Sequence, residues 1–300
     1  MKRYSELFKL LLVLVIGTSA ISVLAASYYS EVAADHPLGW WRLTDAPPPT
    51  NYFALDSGSG HNNGLYTGSI NPTSGIPGTV DMAAELQGGY INVGNPLVFD
   101  SGGGALTVEA WVRPNSADNA YRWMVGKDDD NTTLDYLLGI SAGGTFRFIT
   151  QGLANDVSDT NGPSTFDGST WYHVVGVQDP TNGVVVLYVN GQPVGSKPLA
   201  KTGVTATHAL RIGARGSAAN QNILGGLDEV TLYRKVLSSS QIEAHYNAGI
   251  TGTNYENTIQ ADAPYGWWRL GDAPPLVIYV AQDFGSGTNN GVYWILFLLH

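Results

Sequence analysis

The sequence holds no cysteine, and only 13% of its 300 residues are charged. Without cysteine there is no disulfide framework, no thiol nucleophile, no iron–sulfur centre and no thiolate zinc site. Fifteen Lys and Arg stand against 25 Asp and Glu, so the formal charge is −10. That deficit of cations excludes a general electrostatic grip on nucleic acid or anionic lipid and leaves neutral or cationic partners. Long helical patterns are scarce too. In their place are 37 glycines without a collagen-like period and 43% hydrophobic residues, the composition of a chain that buries a sizeable core and turns often.

Lys2, Arg3 and Lys9 precede an apolar run from Leu10 to Val23, followed by the small residues Ala25, Ala26 and Ser27. The run falls short of the ~18 strongly apolar residues of a membrane span. Residues 1–25 therefore read as a signal peptide cut before Ala26, with Val23 and Ala25 meeting the small-residue rule. Cleavage removes three positive charges and one negative, taking the chain from −10 to −12. The expectation is a secreted or cell-surface protein, bacterial in character, with no stable membrane insertion after cleavage.

An internal repeat organises the rest. Tyr28 to Tyr66 overlays Tyr255 to Tyr293 without a gap at an offset of 227. Gly39-Trp40-Trp41-Arg42-Leu43 recurs as Gly266-Trp267-Trp268-Arg269-Leu270, and Asp56 and Gly58-Ser59-Gly60 recur as Asp283 and Gly285-Ser286-Gly287. The offset marks a domain of roughly 220 residues, a common size for one β-sandwich. It divides the chain into residues 1–25, a domain over 26–249, and an incomplete second copy over 250–300. That last piece lacks the partners of its opening strand, so it is expected to pack poorly or to lie against the first domain.

Within the first copy the periodicity is that of strands. Leu106, Val108, Ala110 and Val112 alternate with Thr107, Glu109, Trp111 and Arg113 until Pro114. Trp171–Val177 and Val184–Val189 flank a hairpin loop, and Asn190-Gly191 supplies the next turn. Further runs at 90–93, 121–126, 136–140, 145–150, 209–213 and 227–233 bring the count to around ten short strands, the pattern of a sandwich or jelly roll. One helix is predicted near the end, capped by Ser240 with Glu243 and stopped at Gly249.

Trp40-Trp41-Arg42-Leu43, the Ala54–Gly64 loop, Leu106–Val112, Trp171–Val175, Leu187–Gly191, Leu210–Gly213 and Gly226–Tyr233 occur in this order. In that order and spacing the chain resembles a laminin-G-type domain of the concanavalin A-like lectin/glucanase superfamily. The resemblance implies an all-β fold, two curved antiparallel sheets in a jelly roll. Its members include sugar-binding modules, adhesion modules and, in related branches, glycosidases or lyases, so it does not fix a function.

A glycosidase needs two carboxylates on one face, which a strand supplies at i and i+2 or i+4. No strand here carries such a pair: Asp228 and Glu229 are adjacent, Glu109 is alone, and no metal-ligand histidine spacing occurs. A non-catalytic protein is expected. Asp56, in its glycine-rich loop, offers a hard oxygen ligand. By resemblance Asp56 and Asp228 share a structural calcium ion; the plainer reading is that both accept backbone hydrogen bonds. The acidic stretch Asp128-Asp129-Asp130-Asn131, with Asp135, reads as a solvated hairpin tip.

Sugar binding calls for aromatics that stack on a pyranose beside groups that hydrogen-bond its hydroxyls. Two sets qualify: Tyr121, Arg122, Trp123 and Tyr136 around the acidic hairpin, and Glu109, Trp111, Arg113 and His173 on one strand face. The expected function is a secreted, non-catalytic carbohydrate-binding module whose partner is a polysaccharide or glycan. The alternative is a structural or adhesive repeat unit of a longer surface protein that binds an extracellular protein.

Overall fold

Alternation along one strand sets the architecture. In β6 (Leu106–Pro114) the side chains of Leu106, Val108, Ala110 and Val112 point into the main core. Thr107, Glu109 and Trp111 point the other way and are also buried, so both faces of this strand are covered. The computed structural model describes residues 53–96, 99–115, 119–129, 133–163, 165–200, 203–217 and 221–271, and the backbone of 278–280 and 292–294.

The chain divides into two units, residues 51–276 and residues 1–50 with 277–300. In the second of these, two short strands are described, Ile278–Val280 and Val292–Trp294, paired antiparallel. The first unit is a sandwich of two antiparallel sheets. One has the strand order β1 (Phe53–Ala54), β2 (Gly64–Thr67), β5 (Tyr90–Gly94), β14 (Leu210–Ile212), β7 (Arg122–Asp128), β8 (Leu134–Ile140), β9 (Phe146–Thr150), β10 (Asp156–Ser158). The other runs β13 (Gln192–Pro198), β12 (Val184–Val189), β11 (Tyr172–Asp179), β6, β15 (Leu224–Tyr233), β4 (Met82–Gln87), β3 (Ile70–Ser74). Between them lies a dry core of Val108, Ala110, Met124, Leu138, Phe146, Phe148, Val174 and Leu187, among others. Burying each of these Val, Leu, Met and Phe side chains contributes about 1.5–3 kcal/mol.

The outer face of the second sheet is roofed by two helices, α1 (Ser239–Thr251) and α2 (Tyr255–Ala261). Ser238, not Ser240, caps α1: its Oγ accepts the backbone N–H of Gln241, whose side-chain oxygen accepts the N–H of Ser238. Gly252, at φ 69°, ends the helix three residues beyond the expected stop. Gly249 lies inside the helix because Trp111 presses on it; a Cβ there would stand 2.3 Å from Trp111 Cζ2. Trp111, Tyr255, Ile259 and Trp267 form a second core beneath the helices.

A difference from the sequence reading concerns the strand beside β15. Trp40–Leu43, expected there, lies outside the described residues. Its copy occupies the place: β16 (Gly266–Trp268) pairs antiparallel with β15 in the register Val230↔Trp268, Thr231↔Trp267 and Leu232↔Gly266. Trp267, Trp268 and Leu270 are fully buried. The unit thus runs past the boundary expected after residue 249, and Tyr255, Ile259, Trp267, Trp268 and Leu270 belong to its cores. Two equal motifs exist in the sequence, and periodicity does not say which of them pairs. Among the described residues no helix is long and apolar enough to cross a membrane.

Candidate functional site

No described helix covers the outer face of the first sheet. There the strands β7, β8 and β9 present Trp123, Leu137, Gly139, Arg147 and Ile149. Gly139 has no side chain because the Trp123 ring lies over it; a Cβ would meet Trp123 Cε3 at 2.6 Å. Trp123 also packs on Leu134, Leu137 and Ile149, which seal it at 3% exposure. Its Nε1–H donates to Gln221 Oε1 at 2.7 Å. Tyr121, 41% exposed, lies parallel to it with ring centroids 6.1 Å apart and 6° between planes.

The Arg147 guanidinium spans both rings, 5.0 Å from the Tyr121 centroid and 5.5 Å from that of Trp123. Asp156, on the neighbouring strand, holds Arg147 in place through Nε at 3.3 Å and through Nη2. Such cation–π contacts stabilise by about 0.5–1 kcal/mol each at exposed sites. The flat face is therefore pre-set, with Arg122 fixed nearby by its Nη1 donating to the Asn222 carbonyl at 3.0 Å.

Of the first predicted set, Tyr121, Arg122 and Trp123 come together here. Tyr136 does not. It occupies the opposite face of β8, fully buried, with its hydroxyl donating to the Phe99 carbonyl at 3.0 Å. Arg147, Asp156 and Gln221 were not foreseen, although Arg147 breaks the apolar alternation Phe146, Phe148 and so marks the outward side of its strand.

The second predicted set shares a face, as expected, but the helices close that face. Glu109, Trp111 and His173 have no exposed surface. Glu109 receives His173 Nε2 at 2.7 Å and His245 Nδ1 at 3.1 Å, and His245 Nε2 meets Asp262 at 3.0 Å. Burial alone would push the Glu109 carboxyl up, yet the two imidazoles hold it well below the usual range. Burial disfavours the His245 cation, but Glu109 and Asp262 outweigh it and raise its pKa. Arg113 is tied to Glu85 at 2.7 Å and stacked on Trp171. Glu109, Trp111 and His173 hold helices to sheet and offer no ligand surface; helices α1 and α2, whose packing the sequence left unspecified, make the difference.

Asp56 and Asp228 clamp the β16 segment from two directions. Asp56 Oδ1 accepts the N–H of Gly58 and of Trp267, both at 2.8 Å, and Oδ2 accepts that of Asn62 at 2.7 Å. Burial pushes its pKa up, against the lowering by these N–H groups. Asp228 Oδ1 accepts the N–H of Glu229 at 2.8 Å and of Leu270 at 3.0 Å. A calcium ion takes six to eight oxygen ligands, whereas what faces Asp56 is backbone N–H, so Asp56 does not fit that role. The carboxylates that do converge are Asp81, Asp228 and Glu229, with ligand atoms within 4.8 Å of one another. Arg269 reaches into that group, 3.2 Å from both Asp81 and Glu229.

The acidic hairpin is likewise satisfied by protein donors. Asp128 takes Arg215 and the Gly216 N–H, and Asp129 takes Thr207 and His208. Asp135 takes Ser101 and Gln151, its pKa pushed by burial to about 6. Asp130 and Asn131 lie outside the described residues.

The chain is similar to several solved structures at low identity. The binding domain of Paraclostridial Mosquitocidal Protein 1 is 14% identical, with a TM-score of 0.51, over 66% of this chain and 52% of that one. Domain 4 of AbnA, an extracellular GH43 arabinanase from Geobacillus stearothermophilus seen with arabinotriose, is 18% identical at a TM-score of 0.46, over 65% of this chain and 98% of that domain. The binding domain of botulinum neurotoxin serotype C1 is 14% identical at 0.47, over 66% and 52%. This chain thus spans about half the length of the two toxin binding domains. No curated protein matches it. Residues 86–243, more than half of the chain, match the family described as the Concanavalin A-like lectin/glucanases superfamily, and the chain belongs to that family.

Proposed function

We propose that this protein is an exported, non-catalytic carbohydrate-binding module that holds a glycan on the Tyr121–Trp123–Arg147 face. The observation that carries the reading is the exposed Tyr121 ring, braced parallel to buried Trp123 with Arg147 and Asp156 beside it. An aromatic plane offers the C–H face of a pyranose a stacking surface, and the flanking guanidinium and carboxylate offer hydrogen bonds to hydroxyls. Beside these rings the carboxylate of Asp156 is bound up with Arg147, so it is not free for glycosidic chemistry. Export rests on residues 1–25, and an intact mass beginning at Ala26 tests it.

Affinity electrophoresis in soluble polysaccharides, backed by a glycan array, tests the site. Tyr121→Ala and Arg147→Ala should each weaken retention five- to thirtyfold, about 1–2 kcal/mol, with the melting temperature nearly unchanged. Glycan retention unaffected by either substitution would move the site elsewhere. Capture of an extracellular protein with no glycan bound would favour an adhesive repeat unit, the reading that the internal repeat supports.

A further inference from the structure

A second aromatic–guanidinium pair lies on the same outer face of the first sheet. Along β5 the side chains of Ile91 and Val93 enter the core, so Tyr90 and Asn92 face outward. Along β14 Leu210 and Ile212 enter it, and Arg211 faces outward. The Arg211 guanidinium lies over the Tyr90 ring, 5.2 Å from its centroid, as Arg147 lies over Tyr121. Arg211 is braced as well: its Nη1 donates to the Arg215 carbonyl at 3.1 Å, in a loop that Asp128 pins by accepting the Gly216 N–H at 2.8 Å. That loop crosses Gly126, the register partner of Arg211, where a Cβ would stand 2.6 Å from the Ala214 carbonyl oxygen.

The two pairs belong to one surface. Ile212 pairs with Ile91 of β5 on one side and with Val125 of β7 on the other, so Tyr90 and Trp123 stand near one level, two strand spacings or about 10 Å apart. Residues 221–223 tie them together. Trp123 is bridged to Asn222, whose Nδ2 donates to the Gly88 carbonyl at 2.6 Å and whose carbonyl accepts Arg122. We propose that Tyr90 and Arg211 form a second stacking subsite, and that one linear glycan chain of several units spans both pairs. The inference rests on the reading that the Tyr121–Trp123–Arg147 face holds a glycan. Each ring offers a plane to the apolar face of one sugar unit. A chain that meets Tyr121 reaches Tyr90 along the same sheet face, so the second contact is intramolecular and strengthens binding with chain length. A single terminal sugar covers one ring only.

A glycan array printed with ladders of linear hexose, pentose and uronate oligosaccharides, from the disaccharide upward, tests this on the full chain. A retained ladder should bind at least tenfold more tightly at its longest rung than as the disaccharide. Tyr90→Thr, which removes the ring and keeps strand propensity, should abolish that gain, while Tyr90→Phe, which keeps the ring, should preserve it. Hydroxyl-radical footprinting of the unmodified chain needs no variant: the longest rung should shield Tyr90 and Tyr121 together. The proposal is overturned if binding does not grow with length, if the gain survives in Tyr90→Thr, or if the longest rung shields Tyr121 and leaves Tyr90 as reactive as in the free protein. Every rung bound as before by Tyr121→Ala would instead overturn the reading on which the inference rests, and no rung retained by the unmodified chain would overturn both.

Discussion

The carboxylate of Asp56 accepts the backbone N–H of Trp267 at 2.8 Å, across 211 positions of sequence. The same side chain closes its own loop through Gly58 and Asn62, so one residue orders the loop and fastens the last strand of the sheet.

Asp56→Ala removes the acceptor of three N–H groups at once. Leaving a buried donor unsatisfied costs about 1–3 kcal/mol, so a loss of about 2–5 kcal/mol is expected. In a domain of this size that lowers the melting temperature by roughly 5–15 °C, measurable by circular dichroism. A change of under 2 °C would mean that water replaces the carboxylate at little cost.

The buried chain from His173 through Glu109 and His245 to Asp262 makes stability depend on pH. His245 faces Glu109 and Asp262, with Tyr233 beside its ring and Lys235 and Gln241 on the far side of Asp262. Its raised pKa contributes stability that is fully present below the unfolded value near 6.5 and lost as pH rises through the folded value. The lowered pKa of Glu109 acts in the opposite sense: its contribution is present above about 4.5 and lost as pH falls through the folded value. Melting temperature should therefore be highest between about pH 4.5 and 6.5 and decline on the alkaline side, about 1.4 kcal/mol for each unit by which His245 is raised. His245→Gln should flatten the alkaline decline, and an unchanged slope in that variant would assign the titration to another group.

Helix propensity alone predicts that Gly249→Ala stabilises α1 by about 1 kcal/mol. The 2.3 Å approach to Trp111 reverses the sign, because the ring is fully buried and overpacking costs about 1–3 kcal/mol. The variant should melt several degrees lower, whereas Asn247→Ala, on the exposed side of the same helix, should not. Equal and positive shifts in both would show that the ring gives way.

Calcium added to chelator-stripped protein should leave the melting temperature unchanged, since backbone N–H groups face Asp56 and Arg269 lies among Asp81 and Glu229. A calcium-dependent rise of about 2.7 kcal/mol at a hundredfold excess over Kd, abolished by Asp228→Ala, would establish the shared ion that the family resemblance implied.

Strand alternation made the sandwich legible in advance, since 106–113, 172–177 and 184–189 each declare two faces. The short strands β1, β2, β3, β4, β10 and β13 were not legible. Ile70–Ser74 and Gln192–Pro198 are polar edge strands without alternation, held by their neighbours rather than by their own pattern. Tyr121 and Trp123 were visible as aromatics beside a hairpin, but Arg147 and Gln221 join them only through pairing of distant strands. Glu109 and His173 misled because a face covered by helices and a face open to ligand carry the same polar alternation. Their surroundings depend on where α1 docks, which no local pattern encodes.

The pairing of β16 with β15 sets an order on synthesis. Trp267 and Trp268 leave the ribosome about 200 residues after the Asp56 loop that receives them, and at 5–20 residues per second that is a wait of roughly 10–40 s. β15 is complete only about 34 residues before Trp267 emerges, so for roughly the last 2–7 s of that wait the C-terminal half of β15 lacks its β16 partner and the apolar floor under the two indoles lacks its cover. A nascent chain in this state has the features that recruit chaperones or stray strands, and its exposure ends only when Leu270 seats.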